Sequence, residues 1–108
     1  MKPVLLGFFL VAAMAPAQNR QTFSGTITDD MCGSAGHASM RMGPTDAECT
    51  TLCVMLHDAK YVLFDGKNVY LLSDQATPEK FAAQKVTVVG TLDAKTRTIT
   101  VASITAAK

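Results

Sequence analysis

Alternating apolar and polar residues predict a β-strand over residues 22–29. In this stretch, TFSGTITD, one face carries Phe23, Gly25 and Ile27, and the positions between them are serine or threonine. Alternation with β-branched residues is typical of a half-buried strand. A glycine in the middle of a strand indicates a bulge or a close approach of another backbone, so we expect one of these at Gly25.

Four further apolar runs predict two β-hairpins in the second half of the chain. KYVLF and VYLL are joined by a turn at residues 65–68, and KVTVVGTL and RTITVASI are joined by a turn at residues 93–96. The first turn contains Asp-Gly, a pair that is common in hairpins. Between the hairpins, Thr77 followed by Pro78 predicts a short helix with Thr77 as its N-cap.

A change of period in TDAECTTLCVMLHDA predicts a helix that starts after Thr45. Thr45 with Glu48 three residues later forms a capping-box pattern at a helix start. Residues three and four positions apart lie on one face of a helix. That face is expected to point inward, and its members are Cys49, Leu52, Cys53 and Leu56.

The order of these elements predicts the fold class. It reads as a strand, a cysteine-bearing loop and helix, two strands, a short helix and two strands. Five strands with a helix between the third and the fourth predict a mainly β fold, a small Greek-key barrel of the OB type. The loop and helix are then an insertion after the first strand. An open β-sandwich fragment is the alternative.

The start of the chain predicts export. A lysine near the N-terminus is followed by an apolar run at residues 4–14 and by Ala-Pro-Ala, a small-residue cleavage signal. This is the order of parts in a secretory signal peptide, and the run is too short to span a bilayer. We therefore predict a signal peptide at residues 1–17, a single OB-like domain at residues 18–108, and a secreted or periplasmic location. An uncleaved membrane anchor is the alternative.

The net charge and the absence of known motifs argue against several classes of function. The formal net charge is +1, and cleavage would remove Lys2 and bring it to 0. A near-neutral chain is not typical of nucleic-acid binding or of binding to anionic lipid, so neither is expected as a partner. The sequence contains no Gly-x-Ser-x-Gly, no phosphate-binding glycine loop and no Cys-x-x-Cys pair, so we predict no enzymatic activity and no catalytic residue. The expected partner is an unidentified protein or small ligand.

All three cysteines and His37 lie within residues 32–53, in the predicted loop and helix. Three thiolates and an imidazole make up a common zinc donor set, and a thiolate-rich site near methionines can also hold Cu(I). We therefore predict a zinc or copper site with the ligands Cys32, His37, Cys49 and Cys53. Aspartate 29 or 30 is predicted to accept the ring N–H of His37, as the outer partners of metal-bound histidines do.

A disulfide is the alternative use of the same cysteines. Cys49 and Cys53 lie four residues apart on one helix, which places their Cβ atoms about 5–6 Å apart. A disulfide needs about 3.8 Å, so these two are poor partners for each other. Cys32 would then pair with Cys49 or Cys53 and staple the loop to the helix in a structural or interaction module. The leftover thiol would be buried or would join two chains into a disulfide-linked dimer.

The segments GTITDDMCG and DAECTTLC, with His37 between them, carry a resemblance to a known family. Together with the downstream strands, they resemble small secreted bacterial proteins of uncharacterised function, which share an Asp-x-x-Cys-Gly, His, Cys-x-x-x-Cys pattern. The resemblance covers almost all of the chain after residue 17. It implies no activity, but it implies that the cluster is a family feature. The matching positions are Asp29, Cys32, His37, Cys49 and Cys53.

Overall fold

The computed structural model of the protein describes residues 19–33, 36 and 43–107. The predicted signal peptide at residues 1–17 and the predicted ligand His37 lie outside these ranges. None of the helices in the described ranges has both the length and the apolar character needed to cross a membrane. In chain order the elements are β1 Gln21–Asp29, α1 Asp46–His57, β2 Tyr61–Phe64, β3 Val69–Leu72, a 3₁₀ helix Thr77–Phe81, β4 Lys85–Asp93 and β5 Thr98–Ala106.

The five strands of the described chain form one sheet that closes in a ring, in the order β1-β2-β3-β5-β4. β1 pairs antiparallel with β4 over residues 21–26 and with β2 over residues 26–29. β3 and β5 pair in parallel, whereas the other neighbours pair antiparallel. The predicted mainly β, five-stranded OB-like fold is confirmed. α1 is inserted after β1, and the 3₁₀ helix lies between β3 and β4.

Every strand contributes to one apolar core. In β4 the alternation is regular, because Val86 and Val88 are buried and their neighbours are less so. Full burial of one aliphatic side chain contributes about 1.5–3 kcal/mol, so these positions carry much of the stability of the ring. The buried members of the core are Ile27, Tyr61, Leu63, Leu72, Val86, Val88 and Ile99.

Gly25 lies where β1 passes from one pairing partner to the other. A Cβ atom at this position would lie 2.5 Å from the carbonyl oxygen of Phe64, closer than real Cβ contacts. The predicted close approach of another backbone at Gly25 is therefore confirmed. A Cβ atom at Gly90 would likewise come too close to the carbonyl oxygen of Thr100, at the register shift between β4 and β5.

The helix buries a different face from the predicted one. Cys49 and Cys53 are fully buried as expected, but the third buried residue of α1 is Thr50. Leu56 is 64% exposed, and Leu52 is only half-buried. α1 packs against β1, and the buried stripe of the helix runs through residues 49, 50 and 53. Leu56 therefore points to solvent.

The short helix has a different cap from the predicted one. Thr77 is the first residue of the 3₁₀ helix, and the residue in the cap position is Ala76, which has no capping side chain. The acceptor comes from Asp74 instead, whose Oδ1 receives the backbone N–H groups of Ala76 at 2.9 Å and Thr77 at 3.0 Å. A carboxylate has more acceptor capacity than a threonine hydroxyl, so Asp74 can serve both N–H groups at once.

Candidate metal centre

Both ends of α1 are fixed by local hydrogen bonds. Oγ1 of Thr45 accepts the backbone N–H of Glu48 at 3.1 Å, which confirms the predicted N-cap. At the other end, Asp58 adopts a left-handed conformation with φ of 59°, and the N–H of Ala59 donates to the carbonyl of Cys53 at 3.3 Å. Caps of this kind define where a helix starts and stops. The two helical cysteines are therefore held on a well-defined helix.

The first cysteine is held by a turn at the end of β1. Oδ2 of Asp29 accepts the backbone N–H groups of Met31 at 3.1 Å and Cys32 at 3.0 Å. The next residue, Asp30, exchanges two hydrogen bonds with Lys60: its N–H donates to the carbonyl at 2.9 Å, and its Oδ1 accepts the N–H at 3.1 Å. Aspartate commonly stabilises turns through such bonds to the following N–H groups. The turn directs the chain so that Cys32 reaches α1.

The three cysteines meet at one point beneath the surface. The sulfur atoms of Cys32, Cys49 and Cys53 all lie within 4.8 Å of one another, and the side chains are 3%, 0% and 0% exposed. No disulfide joins these three described residues. Zinc–sulfur bonds of about 2.3 Å in a tetrahedral site place the sulfur atoms about 3.8 Å apart. The three buried cysteines are therefore close enough to bind one metal ion after small movements.

The sulfur atoms are enclosed by largely apolar neighbours, and the carboxylate of Asp29 is the charged exception. Ala59 is buried with the three cysteines in a cluster of its own, separate from the core of the ring. Val54 is partly buried and packs against both clusters, so it connects the cysteine cluster to the core of the ring. Little water reaches the sulfur atoms in such a setting. A charged thiolate is therefore unfavourable there unless a cation accompanies it.

The pKa values of two thiols express this cost. Burial first, and then the negative charges of Asp29 and Cys49, raise the pKa of Cys32 to about 12. The same causes in the same order raise the pKa of Cys53 to about 11. Both thiols are therefore protonated at neutral pH when no metal is bound. A metal ion that binds here has to displace these protons, so binding releases protons to the solvent.

Two buried polar atoms on the elements that carry the cysteines have no hydrogen-bond partner among the described residues, Oδ1 of Asp29 in β1 and Oγ1 of Thr50 in α1. Both side chains are 0% exposed. A buried polar atom without a partner costs about 1–3 kcal/mol, so such atoms often mark a site that something else completes. Sequence reasoning did not identify Thr50, because its burial depends on how α1 lies on β1 and leaves no mark in the residue pattern.

The predicted site residues divide into two groups. Cys32, Cys49, Cys53 and Asp29 come together, although they derive from a strand end, a loop and a helix. The place of His37 is outside the described residues, so its role as the fourth ligand and as the partner of Asp29 remains a prediction. The alternative, a disulfide between Cys32 and Cys49 or Cys53, is not formed among these described residues.

Comparisons with known proteins add no relatives. No protein-family model, no curated protein and no solved structure matches the chain. The resemblance to small secreted bacterial proteins therefore stays a prediction. A fold of this kind hosts many unrelated activities, so the residues of the site and not the fold indicate the function.

Proposed function

We propose that the protein binds one zinc or copper ion through Cys32, Cys49 and Cys53, with His37 as the fourth ligand. The observation that carries the proposal is the distance of at most 4.8 Å between any two of the three sulfur atoms. For packing alone, cysteine acts as a small apolar residue, so alanine or valine could fill the same space. A shared metal ion is a use that requires all three thiols together.

The burial of the ligands supports a closed, structural type of site. Catalytic zinc sites keep one coordination position open to water or substrate, whereas structural sites surround the ion with protein ligands. Here the three cysteine side chains are at most 3% exposed. We propose accordingly that the protein is a non-enzymatic binding module, and that the ion fastens the loop and α1 to the ring. A chain of this size gains stability from such a fastening.

We also propose a compartment and a class of partner for the protein. A signal-peptide pattern at residues 1–17 supports a secreted or periplasmic location. The near-neutral charge after cleavage supports a partner that is a protein or a small ligand rather than a nucleic acid or a lipid surface. In an oxidising compartment, thiols are commonly paired or bound to metal. A metal ion would keep the three cysteines out of disulfides there.

One preparation tests the proposal against the disulfide alternative. The protein is purified without added metal or reductant, its zinc and copper are quantified, and its intact mass is measured before and after alkylation in denaturant with a chelator. We expect one ion per chain and three alkylated cysteines. A metal-free chain that is lighter by two hydrogens and takes up a single alkyl group would refute the proposal, and would support the disulfide staple instead.

A further inference from the structure

Asp29 brings a carboxylate into the wall of the cysteine cluster. The side chain is 0% exposed, and its two oxygen atoms differ in their partners. Oδ2 receives the N–H groups of Met31 and Cys32, whereas Oδ1 has no hydrogen-bond partner among the described residues. The negative charge acts on the cluster, because it is one of the causes that raise the pKa values of Cys32 and Cys53.

The turn that holds Cys32 does not require this charge. Asparagine or serine at position 29 would also offer an oxygen to the following N–H groups. A buried carboxylate, by contrast, has lost its hydration, and the two backbone N–H groups and the thiols of Cys32 and Cys53 that hydrogen-bond to it replace that hydration only in part. The charge is therefore an additional feature of the site, beyond what the geometry of the turn demands.

The charge matters most once the thiols have lost their protons. Three thiolates and one carboxylate together carry four negative charges in an apolar setting. A divalent ion compensates two of these charges and a monovalent ion only one. Since Coulomb attraction is proportional to the charge of the ion, Asp29 attracts a divalent ion twice as strongly as a monovalent ion at the same position.

We infer that Asp29 is a specificity-determining residue, which biases the cysteine cluster toward divalent ions and so toward zinc rather than Cu(I). This inference rests on the proposed function, because it presupposes that the cluster binds metal. Asp29 acts through its charge and not as a direct ligand. Its oxygens do not join the group of donor atoms that lie within 4.8 Å of one another in the described residues.

The ratio of the zinc affinity to the Cu(I) affinity isolates the effect of the charge of Asp29. Replacement of Asp29 changes the position of Cys32 and the proton affinity of the thiols, and both changes alter the affinity for any metal ion. For two ions that bind through the same three sulfur atoms, the thiol protons to be displaced are the same. These general effects therefore cancel in the zinc-to-copper affinity ratio, and the difference in attraction to the charge remains.

The experiment compares the wild-type protein with Asp29→Asn and Asp30→Asn. Zn²⁺ affinity is measured by competition with a chromophoric chelator, and Cu⁺ affinity by competition with a Cu(I)-specific chelator without oxygen. We expect the zinc-to-copper affinity ratio to fall about tenfold in Asp29→Asn, which corresponds to about 1.4 kcal/mol. Asp30→Asn is the matched control, because Asp30 is exposed and water screens its charge. Its ratio should equal that of the wild type.

A second variant covers the case in which Asp29→Asn does not fold. Asp29→Ser keeps a shorter oxygen acceptor for the turn and also removes the charge, so the same fall in the ratio is expected. If the wild type binds both ions and the ratio is unchanged in the folded variants, the inference is wrong while the proposed function stands. If the wild type binds neither ion, both are wrong.

Discussion

The backbone N–H of Cys32 donates a hydrogen bond of 3.0 Å to the carboxylate of Asp29, the last residue of β1. The first cysteine of the cluster is thus placed by the strand that pairs with both β2 and β4. Because Asp29 is fully buried, water cannot easily replace this acceptor. The position of the cluster therefore depends on the ring itself and not only on the inserted loop and helix.

The turn at Asp29 can be tested separately from its charge. Asp29→Ala and Asp29→Asn both remove the carboxylate, but only the asparagine keeps an acceptor for the N–H groups of Met31 and Cys32. We expect the alanine variant to be less stable than the asparagine variant by about 1–3 kcal/mol, the cost of a buried donor left without a partner. Urea denaturation in the presence of a chelator measures this difference. Equal stabilities would mean that the turn does not depend on this acceptor.

Substitution of each helical cysteine distinguishes a metal site from a disulfide. If all three cysteines are ligands, Cys49→Ser and Cys53→Ser should lower metal content and melting temperature to a similar extent, and His37→Ala should lower both as well. A disulfide would make the two serine variants unequal, because loss of the paired cysteine costs about 2–5 kcal/mol in a small secreted domain. The same variants treated with a chelator provide the control, since there the metal-dependent part of the effect should vanish.

Leu56 and Leu63 make a matched pair for testing the face that α1 buries. Leu63 is fully buried in the core of the ring, whereas Leu56 is 64% exposed. We expect Leu63→Ala to lower the free energy of unfolding by about 2–5 kcal/mol and Leu56→Ala to change it by less than about 0.5 kcal/mol. Thermal or urea denaturation measures both. A large loss in Leu56→Ala would show that the originally predicted face is the buried one.

The close approach at Gly25 predicts a steric effect. In Gly25→Ala the new Cβ would meet the carbonyl oxygen of Phe64 at 2.5 Å, so the two strands would have to separate. We expect a loss of about 1–3 kcal/mol in the free energy of unfolding, the usual cost of overpacking. Ser24→Ala, at an exposed neighbouring position in β1, is the control and should be close to neutral. Similar stability of the two variants would argue against the close approach.

Acid should destabilise the protein through Asp74, which lies in the segment that precedes the 3₁₀ helix. Backbone hydrogen bonds from Thr77, together with its side chain, lower the pKa of Asp74 below its ordinary value of 3.8. The unfolded chain therefore takes up this proton at a higher pH than the folded chain does. The contribution of ionised Asp74 to the free energy of unfolding is complete above about pH 4. It is lost as the pH falls through the lowered pKa of Asp74. Unfolding measured from pH 5 downward should show a smaller loss in Asp74→Asn than in the wild type.

Much of the fold follows from local patterns. Ile27, Val86 and Val88 stand at alternating positions in strands, and Thr45 precedes the helix with a capping pattern, so the element order was predicted from residues alone. The sequence also grouped the three cysteines, because two of them share a helical face. These features are local, and local regularities are what a single sequence records most clearly.

The features that the residue pattern did not predict depend on contacts between secondary-structure elements. The helical stripes through Leu56 and through Thr50 both contain the two cysteines, and only the packing of α1 on β1 decides between them. Asp29 is buried although it is charged, because it ends β1 where the turn to Cys32 and α1 come together. Asp74 replaces Thr77 as the acceptor because the chain before the 3₁₀ helix bends back. No periodic pattern contains this information.

The shortest strand pairing in the ring is the one between β3 and β5. β3 and β5 are paired in register at only Leu71 with Thr98 and Leu72 with Ile99, whereas β4 and β5 pair along nearly their full length. Fluctuations that part the sheet should therefore begin at this seam, and its amide protons should exchange with solvent faster than those of β1. Since β1 neighbours neither β3 nor β5 in the ring, the seam can breathe while the three cysteines stay together.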